Sequence, residues 1–112
     1  MEIKNDLESA KDMNIEKKKL SNKLIVALSG RLDTTTSPKL QESLIPEFDN
    51  ETHIELDFKD LKYLSSAGLR VLLIATKTAK AKNGRLTLIN VSDDINEVFQ
   101  MTGFSDILNI ES

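Results

Sequence analysis

Five consecutive apolar residues, Leu24-Ile25-Val26-Ala27-Leu28, constrain this chain more than any other segment. A run that short with no polar break predicts a central strand covered on both faces, because a half-exposed strand alternates. Gly30 reads as the break that ends it, and Ser21-Asn22 as the tight turn that leads in. Upstream, Met13–Leu20 alternates at its start and is lysine-rich in its middle. That suits an edge strand, where lysines discourage pairing with another chain. His53–Phe58 sets Ile54, Leu56 and Phe58 against Glu55 and Asp57, the pattern of a strand with one face in the core. Arg85–Val91 completes the set of strands.

Helical patterns alternate with these strands. Asp33-Thr34-Thr35-Thr36-Ser37-Pro38 is a run of capping residues ending in proline, which is tolerated at the first helical position. Leu40, Leu44, Ile45 and Phe48 then share one helical face, and Pro46 should end or kink the helix. A longer helix follows Ser65-Ser66-Ala67-Gly68. It carries Leu69, Leu72, Leu73 and Thr76 as its stripe, lysines near its carboxyl end, and Asn83-Gly84 as its stop. Ser92-Asp93-Asp94 caps a last helix with Ile95, Val98 and Phe99 inward and Gly103 at its end, and Phe104–Ile110 trails off as a docking turn. The order strand, strand, helix, strand, helix, strand, helix predicts an α/β fold. Its mixed sheet has four to five strands, with the helices mainly on one face. Residues 13–110 form that single domain, and residues 1–12 a loose or weakly helical extension.

Composition narrows the functions. The 112 residues suit one domain, and 34 of them are Leu, Ile, Val or Phe, ample for one core. A net charge of −3 offers no basic surplus for nucleic-acid phosphates. Without cysteine there is no thiolate site or disulfide, and one histidine cannot build a multi-histidine metal centre. No stretch nears the roughly 18 apolar residues of a membrane span, and the charged start is unlike a signal peptide. A soluble, cytoplasmic protein without cofactor or metal is expected. Neither Tyr63 nor the lysine-rich strand offers a self-association surface, so the expected state is a monomer or weak dimer.

Three features could carry chemistry. His53 lacks a Gly-x-Ser-x-Gly serine to serve, so it reads as a surface residue. Asp93 and Asp94 stabilise a helix start, and Asp57 and Asp60 have no third ligand. The third feature is Ser65-Ser66-Ala67-Gly68 between a strand and a helix. One serine suffices as a cap. The second, beside small neighbours, leaves a helix end where a phosphate would meet free N–H groups. From the residues alone, capping and regulation both stay open.

The segment Asp57-Phe-Lys-Asp-Leu-Lys-Tyr-Leu-Ser-Ser-Ala-Gly-Leu-Arg-Val-Leu72 resembles the signature of STAS domains, the fold of bacterial anti-sigma factor antagonists. Ser29-Gly30-Arg31-Leu32-Asp33 is similar to that family's strand-to-helix turn, in which an acidic residue faces the partner. The resemblance implies that Ser66 is a phosphoacceptor, and that Asp33, Thr34, Ser65, Ser66, Ala67, Gly68 and Arg70 meet a partner. Ser65 departs from the Asp that sporulation-type members carry there. The implied function is partner switching. The unphosphorylated protein would bind an anti-sigma factor serine kinase and free a sigma factor, and a metal-dependent serine phosphatase would reset it. The protein would then be a substrate and not an enzyme. One rival is a small docking subunit of a lipid or anion transporter. The other, a nucleotide-binding or hydrolytic domain, lacks a general base and a Gly-rich loop.

Overall fold

The computed structural model describes residues 13–111, so the expected extension over 1–12 lies outside the described residues. Four strands, β1 (Met13–Lys19), β2 (Leu24–Leu32), β3 (His53–Leu64) and β4 (Arg85–Ile89), form one sheet in the order β1-β2-β3-β4. β1 and β2 are an antiparallel hairpin, while β3 and β4 continue in parallel with β2. The helices are α1 (Ser37–Leu44), α2 (Ser66–Ala81) and α3 (Asp93–Thr102). Each follows the carboxyl end of a parallel strand, so all three strand-to-helix turns gather at one end of the sheet.

Alternation in the strands decides which face the helices cover. Leu24, Val26 and Leu28 of β2 align with Ile54 and Leu56 of β3 and with Leu86 and Leu88 of β4, and all are buried. Leu40 and Leu44 of α1, Leu69, Val71, Leu72 and Ala75 of α2, and Ile95 and Phe99 of α3 join the same core. Each such Val, Leu, Ile or Phe side chain contributes about 1.5–3 kcal/mol by leaving water, and Ala75 less. The Phe58 and Phe99 rings sit 6.3 Å apart and tilted by 57°, tying α3 to the sheet.

The opposite face corrects the reading of β2 as covered on both sides. Ile25, Ala27 and Ser29 are only half-buried there, and no helix lies over them among the described residues. Towards the beginning of β3 and β4 a polar cover replaces apolar packing. Glu55 and Thr87 are buried, with Lys23 Nζ 3.1 Å from Glu55 and Asn109 Nδ2 donating to Thr87 Oγ1 at 3.0 Å.

Several boundaries also moved. Gly30 does not end its strand: at φ +94° it sits in a bulged stretch, and β2 runs on to Leu32. β3 likewise continues past Phe58 to Leu64, because two register shifts against β2 disturb its alternation without ending its pairing. Beyond the ends of β1 and β4, β2 and β3 therefore project as a two-stranded ribbon. In α2 the buried stripe includes Val71, while Leu73 is half-buried. α1 ends at Leu44 and passes into a 3-10 turn, Ile45–Asp49, at Pro46. The last strand stops at Ile89 because Asn90 turns left-handed at φ +57°.

The two edges of the sheet differ. On β1, Lys17 and Lys19 reach Glu47 and Glu51 at 2.6 and 2.5 Å. Outside β4, Leu88 N–H donates to Asn109 C=O at 2.8 Å, and Glu111 N–H to Leu88 C=O at 2.9 Å. Ile110 thus forms a single parallel bridge with Leu88, which accounts for a sheet of four strands plus a fragment of a fifth.

Candidate functional site

Two strand-to-helix turns, 32–37 and 64–68, stand side by side at the end of the ribbon. Ser65 N–H donates to Leu32 C=O at 3.0 Å, which joins them directly. Arg31 stacks its guanidinium 4.1 Å over the Tyr63 ring on the ribbon's other side.

The first turn is built by Asp33. Its carboxylate accepts from the N–H groups of Thr35 and Thr36 at 3.0 and 3.1 Å. The Thr36 hydroxyl donates to Arg31 C=O at 2.7 Å and accepts from Asp33 N–H at 2.9 Å. Ser37 adds its own hydroxyl bond to Asp33 C=O at 2.5 Å. The Thr36 N–H bond, with help from Thr35 and the Arg31 side chain 3.5 Å away, holds the Asp33 carboxyl below its usual range. Helix α1 starts only at Ser37, so Pro38 takes an early position in it as its ring requires.

The second turn is built by packing. Gly68 lies so close to the ribbon that a Cβ there would come within 2.7 Å of Leu32 Cγ and Leu64 Cδ1. Ser65 takes the N-cap position with extended backbone, φ −104° and ψ 175°, yet its hydroxyl accepts no N–H from the helix. That hydroxyl is buried, with no hydrogen-bond partner among the described residues. Ser66, the next residue, is exposed. The first-turn N–H groups of a 16-residue helix therefore have no side-chain cap, which leaves the positive helix end to an outside acceptor.

Thr34, Ser66, Ala67 and Arg70 line one groove of about 370 Å³ between α1 and α2. Asp33, Ser65 and Gly68 stand beside the groove and shape it, without forming its wall. Ser37, Pro38, Gln41 and Val71 complete the lining. From the sequence, Ser37 and Pro38 read only as a helix start, and none of these four as part of a site; the juxtaposition of two helices reveals them.

The remaining candidates do not converge there. His53 lies at the opposite end of β3, its Nε2 3.4 Å from Thr87 Oγ1 and 3.9 Å from Glu55. Burial, and then the charge of Arg85, push its pKa below the usual value. Asp57 accepts from Asn90 Nδ2 at 2.9 Å and from Lys59 N–H at 3.0 Å, both structural roles. Among the described residues no group of three or more His, Asp or Glu is placed to hold a metal, and no helix is long and apolar enough to cross a membrane. Ser92 caps α3 as expected, its Oγ accepting from Ile95 N–H at 3.2 Å, and Gly103 ends it at φ +82°.

The architecture defines an α/β domain whose site is a surface groove at the carboxyl ends of parallel strands, with an exposed serine at a helix start. Residues 14–112 match the family described as STAS domain, and the chain belongs to that family. It is 31% identical over 101 residues to the anti-sigma-B factor antagonist of Bacillus subtilis (strain 168), spanning 90% of this chain and 93% of that protein. The structure of the anti-sigma factor antagonist SpoIIAA in its unphosphorylated form is similar with a TM-score of 0.71 at 20% identity, over 88% of each chain. The Bacillus cell fate determinant SpoIIAA in its phosphorylated form gives 0.70 at 20% identity, over 88% of this chain and 92% of that one.

Proposed function

We propose that this protein is a cytoplasmic anti-sigma factor antagonist, switched by phosphorylation of Ser66. Unphosphorylated, it docks the groove and the start of α2 on an anti-sigma factor that is also a serine kinase, which frees the sigma factor. The kinase moves the γ-phosphoryl group of ATP to Ser66 Oγ, whose proton leaves to a base of the kinase. A metal-dependent serine phosphatase hydrolyses the ester and resets the cycle. The protein is ligand and substrate, not an enzyme.

The observation that carries this reading is the contrast between two adjacent hydroxyls, Ser66 exposed on the groove and Ser65 buried beside it. Only the first can reach a kinase active site without unfolding the turn. The uncapped helix end accommodates the added charge of about −1.5 to −2 inside the free domain. Against a partner, the same charges must lose their water. A loss of 1.4 kcal/mol already costs about tenfold in affinity.

The test is incubation of the full chain with its anti-sigma factor and ATP, followed by intact mass and site mapping. One phosphoryl group on Ser66, absent from Ser66→Ala, with loss of partner affinity on modification, is the expected result. A stable complex that never gains phosphate would overturn the switch and leave a constitutive docking subunit as the better account.

A further inference from the structure

Ser66 and Arg70 are four residues apart on α2, so their Cβ atoms lie roughly 5–6 Å apart on one helix face. Both line the same groove. Arg70 is exposed, and among the described residues no carboxylate lies within ion-pairing distance of it. Lys17, Lys19, Lys23, Arg31 and Lys82 each have such a partner, while Lys18, Lys39, Lys59, Lys62, Lys77, Lys80 and Arg85 have none among the described residues; of all these cations Arg70 alone lines the groove with Ser66. The nearest acidic residue of the neighbouring turn, Asp33, is engaged by two backbone N–H groups and Arg31. The positive charge in the groove wall thus has no ion-pair partner among the described residues. It also sits near the positive end of its helix, where a cation gains nothing from the macrodipole.

We infer that Arg70 is the counter-charge for a phosphate on Ser66. This rests on Ser66 being the modified residue. An acidic group four residues before a basic one is the favourable order along a helix. A guanidinium also presents paired N–H donors that match phosphate oxygens two at a time. The closed pair lays the phosphate along the groove beside Thr34 and Gln41. In the unmodified chain the guanidinium is open to an acidic group of the docking partner. Phosphorylation replaces that contact with one inside the same helix, so the partner loses an ion pair and meets a filled groove in one step.

The experiment uses the full chain with phosphoserine installed at position 66 during synthesis, so that no kinase is needed. The second ionisation of the phosphate, near pH 6 for phosphoserine, is followed by phosphorus NMR in wild type, Arg70→Gln and Arg70→Lys. The wild-type phosphate should titrate a few tenths of a pH unit lower than in Arg70→Gln, with Arg70→Lys between them. The difference should shrink as salt is raised. The helix end acts equally in all three proteins, so the difference isolates Arg70. Coincident titration curves in wild type and Arg70→Gln would overturn the inference. A kinase that leaves Ser66 unmodified would instead overturn the switch, and this titration would be unaffected.

Discussion

The two turns at the end of the ribbon solve the same problem by opposite means. Both carry the chain from a parallel strand into a helix. In the first, hydrogen bonds within the turn consume the polar groups of Asp33, Thr36 and Ser37. In the second, shape does the holding: Gly68 presses on Leu32 and Leu64, and the Ser65 hydroxyl is bonded to nothing described. In the first turn the side chains of Asp33, Thr36 and Ser37 are occupied within the turn, which leaves Thr34 to face the groove. A turn held by close packing can present a hydroxyl and an uncapped helix end to another molecule.

Substitutions separate the two. Gly68→Val should have the largest effect, destabilising by about 3 kcal/mol in urea or guanidinium unfolding, because its side chain collides with two packed leucines. An unchanged midpoint would mean that the second turn is not held by close approach. Asp33→Ala should cost about 1–2 kcal/mol by stranding the N–H groups of Thr35 and Thr36, while Asp33→Asn keeps part of the stability through its amide oxygen.

Acid sharpens the contrast further. The depressed folded-state pKa of Asp33 contributes stability that is present above 3.8 and is lost as pH falls through the folded value. Asp33→Asn should lose that limb of the stability profile. His53, also depressed, stabilises above its unfolded value of 6.5 and gives a separate decline as pH drops below it, which His53→Gln should flatten. The smallest effect belongs to Ser65→Ala. Removing a hydroxyl that has no described partner should move stability by no more than about 0.5 kcal/mol. A loss as large as that of Asp33→Ala would erase the difference between the turns.

The order of elements was legible because alternation in His53–Phe58 and helical spacing in 69–76 are local signals. What escaped was set by pairing at a distance. β3 looks finished at Phe58 because bulges against β2 scramble its alternation, and Gly30 looks like a break for the same reason. Leu24–Leu28 looks doubly buried, but composition cannot say that Ala27 and Ile25 face a side with no helix among the described residues. At the site, two hydroxyls between a strand and a helix were legible as a pair, and the resemblance to the STAS signature, not the spacing, pointed to Ser66. The groove was only half legible, since Ser37, Pro38 and Gln41 belong to it through the packing of α1 on α2.

The sheet order β1-β2-β3-β4 repeats the chain order, and the short stretch around Ile110 docks outside β4 after all of them. A ribosome therefore delivers the strands in the sequence in which the sheet accepts them. Each newcomer joins the outer edge of what has already emerged, and none has to be inserted between strands already paired. Assembly can run alongside synthesis, with only the β4 edge waiting for residues 109–111.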